Sequence, residues 1–243
     1  MKITKPAFAL VFILYTIGSA NLLKAQNAEP IDRWDNWFLL GNKIVFGGTG
    51  DFKHSHEIQF RVKDNMQSLD QWFYEGVFTY SPNERWEIVP DFRAAIKPTK
   101  FDFRPAFGIV RKHYLGKEEN KYITQLVQQM KYQVDIDSDG NVRHGLRYVL
   151  TYNRIINEHF IISGLLGPFY RWSKSLSGIE FVRGGPVFTY IFDSIHTVSF
   201  APLFGAGNLG GDDGWAYSFT PMVQLIIRVN KDYKYQPAKY INF

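Results

Sequence analysis

Cysteine is missing altogether from this 243-residue chain. Its absence excludes a disulfide framework, a thiol nucleophile, a thiolate metal site and a lipid-modified cysteine anchor. Beyond residue 25 there is also no apolar run long enough for a membrane helix. The longest stretches, such as FIISGLL at 160–166, are short and interrupted by Ser or Gly, whereas a spanning helix needs about 20 apolar residues. A membrane reading of the remainder is therefore a barrel reading, because only helices and closed barrels satisfy every backbone polar group in lipid. Low-complexity tracts, linkers and charge blocks are lacking too. The formal charge of +5 includes Lys2, Lys5 and Lys24, and every acid lies beyond residue 25, so the rest of the chain carries +2. Its bases are spread among acids and form no nucleic-acid patch.

What is present begins with a leader. Lys2 and Lys5 precede the apolar run 7–15 (AFALVFILY), and the small residues Gly18, Ser19 and Ala20 follow. This is the pattern of a secretory signal peptide over 1–25. A cut after Ala25 leaves Gln26 first, with Leu23 in place of the small residue preferred three positions before the cut. The remaining 26–243 is of a length that fits one β-barrel domain. Aromatics make up 17% of the chain, an excess that interfacial girdles on a membrane barrel would explain.

The dominant signal is period-two alternation in segments of roughly 9–15 residues, set apart by turn residues. In 56–63, Ile58, Phe60 and Val62 oppose Glu57, Gln59, Arg61 and Lys63. In 71–80, Trp72, Tyr74, Phe78 and Tyr80 oppose Glu75 and Thr79. In 86–96, Trp86, Ile88, Phe92 and Ile96 oppose Glu87, Asp91 and Arg93. The same contrast runs through 101–114, 122–136 and 142–155, where Asp102, Arg104, Lys112, Lys131, Arg143 and Arg147 oppose large apolar residues. Four further segments (160–172, 179–192, 196–204 and 215–229), an early one at 37–46 and a last aromatic one at 233–243 bring the count to about 12. The expected fold is all-β, a single antiparallel transmembrane barrel of 10–12 strands. Soluble strands usually run five or six residues, but a tilted membrane strand needs about 9–11. Pro90, Pro105, Pro168, Pro186, Pro202 and Pro221 interrupt the pattern and predict bulges or strand ends, since proline removes a ladder donor.

Alternation does not say which face is wet. Aromatics terminate the apolar faces (Trp72 with Tyr80, Trp86, Tyr170 with Trp172, Trp215 with Tyr217), as girdles at two interfaces would. The chain ends in Phe243, with Ile241 and Tyr235 on the same parity, although Lys239 and Pro237 share it. This ending resembles the C-terminal signal of outer-membrane barrels, which implies the barrel-assembly machinery, with periplasmic chaperones, as partners beside the outer-membrane lipids. The early Trp34–Trp37 segment, the strand EIQFRVKDN at 57–65 and the pair joined by a short turn in VFTYSPNERWEIVPDFR at 77–93 resemble the family known as Domain of Unknown Function 2490. The resemblance spans most of the chain past the leader but contains no invariant motif. It implies an exported outer-membrane barrel and no activity.

Residues that would carry chemistry are sparse. Ser55 lies between His54 and His56, but neighbours on a strand point to opposite faces, so a Ser–His nucleophile is not assembled locally. His54 and His56 share a face without an evident third ligand. DIDSDG at 135–140 lacks the downstream acid of a calcium loop, and the Gly-rich 205–214 lacks a phosphate-loop lysine. Both read as turns. Neither a catalytic residue, nor a cofactor, nor a metal is assigned. The polar face itself is the informative constellation. Glu57, Arg61, Glu75, Glu87, Asp91, Arg93, Arg104, Lys131, Arg143, Arg147, Arg171, Glu180 and Arg228 are the candidates to line the lumen, either as ion-pair networks that fill it or as a narrow polar passage. The expected function is thus a non-enzymatic outer-membrane barrel, structural or a narrow passive channel for small polar solutes. Two rivals predict different geometries. A lipid-modifying enzyme needs a Ser, a His and an acid converging at one rim. A soluble secreted barrel that binds an apolar ligand needs the aromatic face pointing inward.

Overall fold

The computed structural model describes residues 38–46, 50–63, 67–172, 177–208, 215–229 and 232–238. The expected signal peptide, Trp34 and Trp37, and Ile241 and Phe243 of the expected assembly signal lie outside the described residues. Among the described residues eleven strands follow one another: β1 Phe38–Phe46, β2 Phe52–Lys63, β3 Ser68–Asn83, β4 Trp86–Ile96, β5 Phe101–Tyr114, β6 Thr124–Asp137, β7 Val142–Ile155, β8 Phe160–Trp172, β9 Ser177–Ile191, β10 His196–Asn208 and β11 Trp215–Arg228. A single 3-10 turn, Glu118–Asn120, interrupts the loop between β5 and β6.

Each strand pairs with its sequence neighbours, and β1 pairs with β11 to close a barrel. All pairings are antiparallel except the closing one, which is parallel, with Leu39 opposite Met222 and Val45 opposite Arg228. Parity dictates this. An antiparallel ring closes on itself only with an even number of strands, and eleven leave one parallel seam. The expected last strand at 233–243 is corrected for residues 233–238, which add no strand to the sheet, and 239–243 lie outside the described residues. Beyond Asp232 the chain makes one isolated bridge, Tyr233 with Gly50, and then runs to buried partners described below, where Pro237 has no N–H to give to a ladder.

Four of the turns share one local chemistry. Asn83 Oδ1 accepts the N–H groups of Arg85 and Trp86 at 2.9 and 3.1 Å. Asp137 Oδ1 accepts those of Asp139 and Asn141 at 3.0 and 2.9 Å, and Gly140 beside them sits at φ 80°. Asn157 and Asp193 do the same in the next two turns on the opposite side. A short side-chain carboxylate or amide that replaces backbone partners is what favours Asx residues in tight turns.

The proline expectation is also corrected at Pro90, Pro186 and Pro202. The ladder loses rungs without changing register: β3–β4 pairing skips from Val77–Asp91 to Tyr80–Ile88 around Pro90, and β9–β10 pairing skips from Phe200–Phe188 to Phe204–Gly184 around Pro186 and Pro202. A proline nitrogen lacks a donor toward one neighbour only, so the other ladder carries the strand through. Of the three register shifts among the described residues, those at Arg61–Val62 and Tyr80–Asn83 fall away from prolines, and the third follows Pro168 as expected. Between β8 and β9, Phe169 faces Phe181 but Tyr170 faces Ile179, which leaves Glu180 as the extra residue.

The two ends of the barrel differ. The tail mouth carries the β1–β2 junction at Gly50 and the β3–β4, β5–β6, β7–β8 and β9–β10 turns together with segment 232–238. The arginine mouth carries the β4–β5 and β6–β7 turns. On the outside, aromatics cluster toward both mouths (Phe52, Tyr80, Trp86, Tyr190 toward one; Phe60, Phe103, Trp172, Tyr217 toward the other), with Ile109, Met130, Ile162 and Leu166 between them, all of them exposed. Inside, the wall is two-sided. Strands β7 to β11 contribute a buried apolar cluster of Val149, Leu165, Val187, Ala201, Leu203 and Met222. Strands β2 to β6 contribute most of the charges, and β7 to β11 add Arg143, Arg147, Arg171, Glu180, Arg183 and Arg228. A second cluster, Val77, Val89, Val110 and Val127, receives Ala238 of the tail.

Candidate functional site: a charged lumen with two unlike mouths

All thirteen residues of the polar face lie on the inward side of the wall. Glu57, Glu75, Glu87, Asp91, Arg93, Arg104, Lys131 and Arg147 are buried, and Arg61, Arg143, Arg171, Glu180 and Arg228 are half-buried. Three groups of them come together at successive depths, because strands two apart present like-facing residues to one another across the curved interior.

At the tail mouth, Glu87 is a hub. Its Oε1 accepts Lys53 Nζ at 2.9 Å, Lys112 Nζ at 3.1 Å and the Ala238 N–H at 2.9 Å. Lys112 Nζ donates a further bond to the Gln236 carbonyl at 2.7 Å. The Gly50 N–H donates to Asp232 O at 3.1 Å, and the Lys234 N–H to Gly50 O at 2.8 Å. Segment 232–238 therefore crosses the opening and enters it.

At the waist, Lys131 faces Asp91 at 2.6 Å, and Glu75 holds Arg93 and Arg104 at 2.6 and 2.9 Å. Glu57 accepts the amides of Gln59 and Gln224 at 3.2 and 3.1 Å. Glu57, Glu75, Lys112 and Lys131 expose 2% or less of their surface. An aqueous passage would wet its lining, so the waist is occluded by its own side chains. Charges buried to this degree persist only when paired and hydrogen-bonded.

At the arginine mouth, Arg171 pairs with both Asp135 and Glu180, the latter delivered by the bulge, which is how bulges re-aim side chains. Arg228 lies apart from these groups, donating to Thr197 Oγ1 at 2.7 Å. The mouth holds a recess of about 290 Å³ whose aromatic lining, Phe169 and Phe181, stacks at 5.0 Å.

Several functional residues were missed from sequence. Lys53, Lys112 and Asp135 share the parity of the residues chosen on their strands and could have been included on that ground, whereas Arg183 is out of parity with Glu180 because the bulge lies between them. The inward Phe73, Phe169, Phe181, Leu203 and Met222 had no such signal, since a polar-lumen pattern expects no large apolar residue inside. Elsewhere the pleat separates the one local Ser–His candidate: Ser55 is buried on the inward face, while His54 and His56 face outward, bonded to each other at 3.1 Å, with His56 also bonded to Tyr74. The aromatic face points outward, the inverse of what a soluble barrel around an apolar ligand requires.

No family model and no curated protein matches this chain. Among solved structures, the NanC porin in a rhombohedral crystal form is similar to 74% of this chain and to 96% of its own, at 8% identity and a TM-score of 0.44. The chain's own strand pairing makes it a closed β-barrel, antiparallel except at the β1–β11 seam.

Proposed function

We propose that the protein is a non-enzymatic barrel of the bacterial outer membrane whose lumen is closed at rest, with outer-membrane lipids around it and with the barrel-assembly machinery and periplasmic chaperones as its partners during insertion. The observation that carries this reading is the inverted distribution of polarity. Phe107 and Met130 are 50% and 52% exposed at mid-strand while Glu75 and Lys131 behind them are 0% and 1% exposed. In water such a barrel would be inside out, with an apolar belt far larger than a soluble monomer tolerates. In lipid it is the expected arrangement. The paired charges of the waist make the resting barrel a structural element, and passage of a small polar solute through it would require the tail and the ion pairs to move aside.

The test is fractionation followed by gel migration without heating. The expected result is recovery with outer membranes, extraction only by detergent, heat-modifiable migration, and no steady conductance steps in planar bilayers. Recovery as a detergent-free soluble protein would overturn the membrane reading. Open steps at low voltage would overturn the closed-lumen reading and leave the barrel.

A further inference from the structure

The recess at the arginine mouth has a larger charge imbalance than the hub at the tail mouth, where two lysines share Glu87. Eight cationic side chains line it against three carboxylates. The three acids are already engaged, Asp102 with Lys97, and Asp135 and Glu180 with Arg171. One further carboxylate, Glu75, serves both Arg93 and Arg104. Arg61, Arg143, Arg147 and Arg183 complete the cationic lining, and the Nε groups of Arg143 and Arg183 are buried without a hydrogen-bond partner among the described residues.

The arginines are held by stacking as well as by ion pairs. Arg93 and Arg61 lie 3.7 and 5.2 Å from the centroid of Phe73, Arg171 lies 4.8 Å from that of Phe169, and Arg183 lies 4.8 Å from that of Phe181. A ring takes up the face of a guanidinium and leaves its N–H edge free. These contacts thus orient the arginines without neutralising them, and the edge they leave is the one that matches a carboxylate or phosphate through two parallel bonds. A concave, low-dielectric site with excess charge of one sign concentrates counter-ions. Its volume is near the lower bound of small-ligand pockets.

We propose that this recess binds a small oxyanion carrying at least two negative charges, a phosphate- or carboxylate-bearing molecule, with the edges of Arg61, Arg143 and Arg183 as its primary contacts. The site follows from the barrel interior and stands whether or not the barrel conducts. The oxyanion comes either from a soluble solute or from a lipid headgroup at the rim, and the two sources share this chemistry.

The experiment is calorimetric titration of the full mature barrel, folded in a zwitterionic detergent, with inorganic pyrophosphate and separately with citrate. A parallel titration uses micelles doped with phosphatidic acid. The expected result is saturable one-to-one binding that weakens with added salt, and an affinity loss of about tenfold or more in Arg143→Gln/Arg183→Gln, since each charged hydrogen bond contributes on that order. Lys100→Gln/Lys121→Gln removes the same charge from exposed turns and is expected to leave affinity within about twofold. Saturation by phosphatidic acid alone identifies the source as a headgroup, and saturation by the free anions identifies it as a solute. Absence of saturable binding by all three probes, or equal losses in the two variant pairs, overturns the proposal. Unchanged heat-modifiable migration verifies that each variant is folded, and Arg61→Gln carries the same test should the double variant fail to fold.

Discussion

Replacement of Glu87 by alanine tests whether the tail mouth is held by a dry ionic hub. The carboxylate lies 2.9 Å from Lys53 Nζ and 3.1 Å from Lys112 Nζ, and the three side chains are 1%, 7% and 0% exposed. Two unit charges 4 Å apart attract by about 4 kcal/mol at an effective dielectric of 20, so the hub gains from two pairs. Desolvating three ions costs several kcal/mol each, and the two terms nearly cancel. The hub's net contribution relative to an apolar replacement is therefore small, but its integrity matters a great deal. Glu87→Ala leaves two buried ammonium groups without their acid and the Ala238 N–H without its acceptor, for an expected loss of about 3–5 kcal/mol. The triple variant Lys53→Met/Glu87→Met/Lys112→Met removes all three ions together and is expected to recover most of that loss. The assay is urea unfolding of the barrel in lipid vesicles, followed by tryptophan fluorescence, with protease sensitivity at 232–238 as a second readout. A loss below about 1 kcal/mol for Glu87→Ala, or a triple variant no better than the single, would refute the dry hub and show that water solvates the lysines at this mouth.

Three further outcomes are expected. Met130→Arg places a charge on the outward mid-barrel band and should cost about 2–4 kcal/mol for the barrel in a bilayer; a change within about 0.5 kcal/mol, as at an ordinary wet surface, would place Met130 in water. Gly145→Val and Gly76→Val separate the two faces: an added Cβ meets Phe169 at 2.4 Å in the first and Phe92 at 2.6 Å in the second. Phe169 is locked inside the lumen, so Gly145→Val should cost about 1–3 kcal/mol in the same urea assay, and Gly76→Val less, because the outward Phe92 can swing aside. Asp193, in the β9–β10 turn, is held down at about 2 by hydrogen bonds from the His196 side chain and from the His196 and Ile195 backbone N–H groups. A depressed carboxylate contributes stability above its unfolded value and loses it as pH falls through the folded one, so carbon-detected titration should show the Asp193 midpoint near 2 and Asp193→Asn should flatten the acid limb of turn stability. A midpoint in the ordinary range near 4 would refute that arrangement.

The legible part of this fold is the part that depends on parity. Period two in Glu57–Gln59–Arg61 or Glu87–Asp91–Arg93 assigns a face without reference to any other strand, and these residues lie together on the inward side. The closure was not legible, because pairing β1 with β11 is decided by the count of strands and by where the tail goes, and neither has a local signature. Prolines misled for a related reason: a missing donor is a local fact, but its cost depends on which neighbouring ladder would have used it. The apolar lining from β7 to β11 escaped because the outward residues of those strands are apolar as well, so both faces look alike. Val187 between Pro186 and Phe188 offers no contrast to read. Glu180 was placed on the polar face by simple alternation, but its inward reach to Arg171 comes from the bulge opposite Phe169 and Tyr170.

The two unlike halves of the interior explain why the waist is closed. Eight strands make a barrel that side chains readily fill, and wider ones hold a ligand or water. Eleven strands exceed that limit, so filling this lumen takes long side chains. Strands β2 to β6 supply them as Lys112, Lys131, Gln59 and Gln129, all fully buried, and β7 to β11 meet them with Leu203, Met222 and Phe169. A lysine stem is apolar along its length, so Lys131 can lie against that wall and still deliver its ammonium to Asp91 at 2.6 Å. Toward the tail mouth the remaining space is taken by Ala238 and the chain leading to it. Toward the arginine mouth nothing comparable among the described residues fills the space, and the cations there outnumber the acids. An interior that is closed by neutral pairs in the middle but positive at one end is arranged to hold an anion at that end rather than to pass it.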